Sequence, residues 1–196
     1  MLAAAILSGG ASQRMGSPKA LLPYQGRPFL EHLLDVTIHP KIGVRRVVLG
    51  LHAEPIAAAV KLAPGEIVRN DDWQEGQLSS VHAAIRSFPA ATDGMILFLI
   101  DHPLISAALV NDLIEQFYSP QNPSPTKIVL PLFRGQRGHP VIFSANLYDE
   151  LLAAPLDKGA RSVVWAHTAD VLHLETTEQG CVLNLNDPET LQRVIG

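Results

Sequence analysis

Cysteine is almost absent from this 196-residue chain. The lone Cys181 excludes an internal disulfide framework, has no Cys or His neighbour at zinc-ligand spacing, and reads as a small core residue. An excess of positive charge is also missing: 15 Lys and Arg stand against 19 Asp and Glu, a net charge of −4, which gives no nucleic-acid surface. No apolar run approaches the roughly 20 residues that span a bilayer, and residues 2–7 are too short, and lack a basic flank, for a secretory signal core. The expectation is a cytoplasmic protein with no membrane partner. Two common phosphate-binding spacings are missing as well, because Gly9-Gly10 is followed by Gly16 and Lys19 follows Pro18. That fits neither G-x-G-x-x-G nor G-x-x-x-x-G-K-[ST] and disfavours an NAD-linked dehydrogenase. What remains is 47% hydrophobic and 17% charged, an ordinary globular composition that predicts a single domain over residues 1–196.

The opening carries the strongest signal. The apolar residues 2–7 run into Ser8-Gly9-Gly10-Ala11-Ser12-Gln13-Arg14-Met15-Gly16-Ser17-Pro18-Lys19. A short apolar run has the length of a buried parallel strand, and glycines at its end let backbone N–H groups approach a phosphate. Arg14 and Lys19 add two cations to that loop.

Further apolar runs at residues 46–51, 66–69, 95–100, 127–132, 141–143, 171–174 and 181–185 read as strands. Leu30, Leu33 and Leu34 share one face of a helix over residues 29–38, and Val81, Ala84, Ile85 and Phe88 share one face over residues 77–88. Strand and helix alternate through Ile114, which predicts a mostly parallel sheet covered on both faces, a Rossmann-like three-layer α/β/α architecture with ligands beyond the carboxyl ends of the strands. After Ser119 the pattern changes: Pro120, Pro123 and Pro125 mark a loop, and the strands that follow have no long helices between them. We therefore expect residues 1–119 to form a nucleotide-binding half and residues 120–196 an acceptor-binding half.

Asp101 follows the most apolar strand. It reads either as a cap for a helix beginning near Ser106 or as a carboxylate for the hard divalent cation that triphosphate chemistry requires. His102 reads as a surface imidazole. In Asn184-Leu185-Asn186-Asp187-Pro188, the two asparagines point to one side if the strand continues through them, and Asp187 caps a final helix with Pro188 at its first position. Gly76 permits a tight turn, and Ser79 is either a helix cap or, with Asn70 and Ser80, a contact to base or ribose. Glycines on both sides of Gln136-Arg137 suggest a hairpin that delivers His139 to a strand start, where it is a core residue or an acceptor contact. Lys158 and Arg161 are solvated charges or phosphate ligands.

Taken together, these strings resemble the signatures of the nucleotidyltransferases that act on the molybdenum cofactor, especially the cytidylyltransferase branch. The resemblance implies that Leu7, Ser8, Gly9 and Gly10 hold a nucleoside triphosphate while Arg14 and Lys19 neutralise its phosphates. Asp101-His102-Pro103 is similar to the D-x-P whose aspartate holds Mg2+, with Asn186 as the second ligand. Asn70-Asp71-Asp72-Trp73-Gln74-Glu75-Gly76-Gln77-Leu78-Ser79-Ser80 resembles the family's nucleotide-facing segment. The G-H-P-V around His139, preceded by Arg137, implies the pterin acceptor side, and Asp157-Lys158-Gly159-Ala160-Arg161 resembles G-D-x-G-A-R, with Leu156 where glycine is usual.

The implied reaction transfers a nucleotidyl group to the terminal phosphate of molybdopterin or its molybdenum form and releases pyrophosphate, with a molybdoenzyme or its chaperone as recipient of the product. Ser17-Pro18-Lys19, Asp72-Trp73, the G-H-P-V and the G-A-R favour CTP. The double glycine and the Asn184–Asn186 pair match the guanylyltransferase branch and GTP. A transferase for another small phosphate acceptor, or a non-catalytic module that binds and delivers cofactor, are the other readings.

Overall fold

The computed structural model describes residues 1–10, 15–125 and 127–195. In chain order, the first half contains β1 (Leu2–Ser8), β2 (Pro23–Tyr24), β3 (Arg27–Pro28), α1 (Phe29–Val36), β4 (Ile42–Leu49), α2 (Ala53–Ala59), β5 (Ile67–Arg69), α3 (Gln77–Arg86), β6 (Gly94–Leu99) and α4 (Ala107–Tyr118). The second half contains β7 (Ile128–Phe133), β8 (Gln136–Arg137), β9 (Val141–Ser144), α5 (Tyr148–Ala153), α6 (Arg161–Ala166), β10 (Val171–Glu175) and α7 (Pro188–Ile195).

An eight-stranded sheet runs β10-β7-β9-β6-β1-β4-β5, with β8 paired to β7. The pairs β1–β4, β1–β6, β4–β5 and β7–β10 are parallel, and β9 is antiparallel to both β6 and β7. The sheet is thus mostly parallel, as the strand and helix alternation predicts. All seven residues of β1 are buried, since it lies between two parallel neighbours and under helices on both faces. Leu2, Ala4 and Ile6 join the core beneath α1, α2 and α4, while Ala5 and Leu7 join the core beneath α3, α5 and α6. This period-two division is what makes the three-layer arrangement. Burying each Leu or Ile there stabilises the fold by roughly 1.5–3 kcal/mol before chain entropy is counted.

One predicted strand does not form. Residues 181–185 pass through a 3-10 turn, Gln179–Cys181, and then run without regular pairing to α7. The segment meets no ladder; the Leu185 N–H donating to the Asp101 carbonyl and the Cys181 carbonyl accepting from His139 N–H, both at 2.8 Å, tie it down. Asp187 does cap α7: its carboxylate accepts from Thr190 N–H at 2.8 Å, with Pro188 opening the helix. Cys181 is fully buried, and burial pushes its thiol up to about 11. Among the described residues, no helix is long and apolar enough to cross a membrane.

Candidate functional site

β1 ends at the carboxyl edge of the sheet, and the chain leaves it through Gly9 and Gly10. Backbone here is packed as closely as glycine allows. A Cβ on Gly50, just after β4, would lie 2.3 Å from the Gly9 carbonyl oxygen and 2.8 Å from the Trp73 Cβ. A Cβ on Gly9 would lie 2.7 Å from the Ser80 Oγ. Gly50 carries no sequence motif of its own; only the neighbouring strand order reveals that the β1 loop is seated on it.

A cleft of about 230 Å³ opens over this loop. Leu7, Ser8, Gly9, Gly10 and Lys19 line one side, Trp73, Gly76, Gln77 and Ser80 the other, and Leu99, Ile100 and Asp101 its end. Gly76, at φ 102°, turns the chain into α3 and leaves the N–H groups of the first helical turn at the cleft. The structure thereby brings together the opening loop, Lys19, Gly76, Ser80 and Asp101, all expected from the sequence. Arg14 lies outside the described residues.

Asn70 and Ser79 do not line this cleft. They are buried behind it: the Asn70 Nδ2 donates to Ser79 Oγ at 2.8 Å and to Ser80 Oγ at 2.9 Å, and its Oδ1 accepts from Asp72 N–H at 3.1 Å. The Ser79 hydroxyl turns back to donate to the Gly76 carbonyl at 2.8 Å. These residues hold the turn that presents Gly76 and Ser80 to the cleft, and they line a separate cleft with Asp71, Asp72 and Glu75.

Lys19 joins the two segments expected to hold metal. Its Nζ donates to the Asn186 Oδ1 and lies 3.7 Å from the Asp101 Oδ2. An ammonium therefore already rests against one carboxylate and one amide oxygen from sequence positions far apart. The Asn184 Oδ1 from the same segment is buried with no hydrogen-bond partner among the described residues. Hard oxygen donors that accept a cation fit Mg2+, which is held by one or two carboxylates and the substrate's own phosphates. No group of three or more His, Cys, Asp or Glu that could hold a metal by itself occurs among the described residues, so phosphate oxygens would have to complete the shell.

His102 is not at the surface. It is buried beside Asp101, because the loop after β6 turns inward under the segment around Gly180 and Cys181. Its ring centroid is 5.2 Å from that of His139, and both Nδ1 atoms are buried without a partner. Burial lowers the basicity of both rings; His139 falls to about 4, helped by its neighbour His102, so it is neutral at pH 7. A hairpin is present, but Gln136-Arg137 forms its short strand β8 on β7 and the turn falls at Arg134-Gly135 instead; His139 N–H donates to the Cys181 carbonyl at 2.8 Å.

A second cleft, of about 530 Å³, lies across Gln77 from the first, which lines both. Leu97, Leu130, Val141 and Phe143 are among its walls, and it contains all four residues expected on the acceptor side: Arg137, His139, Lys158 and Arg161. Arg137 Nε donates to His173 at 3.1 Å, and Arg161 Nε to the Lys158 carbonyl at 3.1 Å. Sequence reasoning missed Trp165, also in this cleft, because a single exposed tryptophan in a short helix has no pattern to mark it.

A family model described as the MobA-like NTP transferase domain matches residues 4–171. The chain is 34% identical to the nicotine blue oxidoreductase of Paenarthrobacter nicotinovorans over 160 residues, 80% of this chain and 78% of that protein. It is 28% identical to a molybdenum cofactor guanylyltransferase of Vibrio cholerae over 95% of this chain and 87% of that one. Among solved structures, Rv0371c from Mycobacterium tuberculosis superposes with a TM-score of 0.81 at 26% identity, covering 99% of this chain and 96% of that chain.

Proposed function

This chain belongs to the MobA-like NTP transferase family, and from that premise we propose that it transfers the cytidylyl group of CTP to the terminal phosphate of molybdopterin, with or without bound molybdenum, in the cytoplasm. The observation that carries the reading is the pair of adjoining clefts: one has a glycine loop, Lys19 and Asp101, and the other, across Gln77, has a cationic rim. We assign the first to the nucleotide and residues 1–119, and the second to the acceptor and residues 120–196.

In this proposal the backbone N–H groups around Gly9 and Gly10 cradle the triphosphate. Lys19 moves from Asn186 and Asp101 onto the phosphates, and Arg14 adds a second cation. Asp101 and Asn186 would hold Mg2+, which would supply Lewis-acid neutralisation of the phosphate oxygens. Lys158 and Arg161 fix the acceptor's phosphate. One of its oxygens forms a bond to the α-phosphorus while the bond from that phosphorus to the bridging oxygen breaks, and pyrophosphate leaves with the electron pair. The phosphate nucleophile is ionised at pH 7, so the neutral His102 and His139 are not asked to act as bases. Positioning and charge neutralisation carry the rate, as is usual for transfers at phosphorus.

The choice of CTP rests on the segments similar to the cytidylyltransferase branch, which line both clefts: Trp73 in the first, Gly138, His139, Gly159, Ala160 and Arg161 in the second. GTP is the second reading, supported by Gly9-Gly10, by the Asn184–Asn186 pair and by the relative named as a guanylyltransferase. The product would pass to a molybdoenzyme or its chaperone. The test is Mg2+-dependent pyrophosphate release from CTP, GTP and ATP, each with and without molybdopterin, with Asp101→Ala as the blank. Molybdopterin-dependent release that is largest with CTP supports the proposal; larger release with GTP moves it to the sister activity. No release, together with oxidation or reduction of nicotine blue, would replace it with the chemistry named for the Paenarthrobacter relative.

A further inference from the structure

Five large hydrophobic residues are exposed among the described residues, and two of them, Leu156 at 41% and Trp165 at 59%, border the second cleft. Trp165 lies on α6, whose Val163 and Val164 are buried and anchor it to the sheet. The Arg161 guanidinium lies over the indole, 5.4 Å from the ring, and is held there by its bond to the Lys158 carbonyl. The indole is thus flanked by Arg161 while much of its surface faces water, and with Leu156 it places two exposed large apolar side chains at one cleft. The same cleft has apolar walls, a rim of Arg137, Lys158 and Arg161, and a boundary at Gln77 with the cleft that holds the glycine loop.

We infer that Trp165 is the specificity-determining residue of the acceptor cleft and that its indole stacks against a flat, polar heteroaromatic ring. The inference rests on the proposed function for the identity of that ring, the pterin of the acceptor. An indole supplies a rigid π-face, and stacking of a heterocycle on an aromatic side chain is sequence-tolerant but shape-demanding. Arg161 serves both partners: it stiffens the indole from one side and offers its N–H groups to an anionic substituent of the stacked ring. Leu156 closes the mouth beside the ring. An acyclic or sugar phosphate would satisfy the cationic rim yet leave the indole and Leu156 in water, so the platform discriminates in favour of planar acceptors.

The experiment compares Trp165→Ala and Trp165→Phe with the unaltered protein in steady-state turnover of CTP and molybdopterin. Stacking worth what aromatic platforms usually supply predicts that Trp165→Ala raises the acceptor KM about tenfold. The CTP KM should stay unchanged, and Trp165→Phe should keep the acceptor KM within about threefold because a π-face remains. In a second readout, independent of turnover, Trp73→Phe leaves Trp165 as the sole tryptophan, and its emission is titrated with 6-carboxypterin. Saturable quenching is expected. An unmoved acceptor KM in Trp165→Ala, with turnover intact, overturns the stacking role and leaves the proposed activity standing. If the unaltered protein turns over no nucleotide with molybdopterin, the proposed activity fails and the titration decides the stacking role alone: saturable quenching supports it, and unquenched emission overturns it.

Discussion

Replacing Gly50 with alanine tests whether the β1 loop is seated as the site requires. The new Cβ would stand 2.3 Å from the Gly9 carbonyl oxygen, where ordinary contact begins near 3.4 Å, so the loop must retreat by about 1 Å. The Trp73 Cβ at 2.8 Å is a second clash, so the strain falls on Gly9 and Trp73, both of which line the cleft. Overpacking of this kind costs about 2 kcal/mol. For a chain of this length that corresponds to a fall in Tm of about 6 °C. The catalytic loss should be larger than the stability loss, because a 1 Å displacement of phosphate-binding backbone costs up to about 100-fold in rate. Urea denaturation and pyrophosphate release as a function of CTP concentration give both quantities. Gly65→Ala is the control: no atom lies within 4 Å of its Cβ, and stability and turnover should hold. If Gly50→Ala matched Gly65→Ala in KM and kcat, the β1 loop would not be the phosphate seat.

Asn70→Ala should destabilise the fold by about 3 kcal/mol, since it strips bonds from two buried hydroxyls and the Asp72 N–H, and should raise the nucleotide KM because Ser80 loses its anchor; a shift in urea midpoint near zero would contradict this. His139 binds its proton more weakly in the fold, at about 4, than in the open chain near 6.5, so the open chain holds more protons between those values. Stability should thus be complete above about pH 7 and fall as pH drops toward 4, by up to about 3 kcal/mol from this residue, and His139→Gln should flatten that slope in urea titrations across the range.

The legible parts of the fold were those written in periodicity. Residues 2–7 and 95–100 are apolar on both faces because β1 and β6 are covered on both, and Leu30, Leu33 and Leu34 repeat at helical spacing because α1 packs one face on the sheet. The segment 181–185 has the same apolar look but folds as a crossing strap, since Cys181 and Leu185 are buried by contact rather than by pairing. His102 was misread as a surface residue for a related reason: burial of a polar ring depends on what covers it, and its cover comes from Gly180 and Cys181, almost eighty positions later. At the site, Lys19 and Asp101 were readable from their places beside strand ends. Gly50 and Trp165 were not, because one acts through a packing contact between neighbouring strands and the other through its exposure.

The most direct test of the central claim follows the phosphorus. CTP labelled at the α-phosphate, or separately at the γ-phosphate, is incubated with the protein, Mg2+ and molybdopterin, and the products are separated. The account predicts that the α-label moves to the pterin product, that the γ-label leaves in pyrophosphate, and that Asp101→Ala does neither. Transfer of the γ-label to the acceptor, or an α-label that stays with CTP while the acceptor is bound, would contradict it.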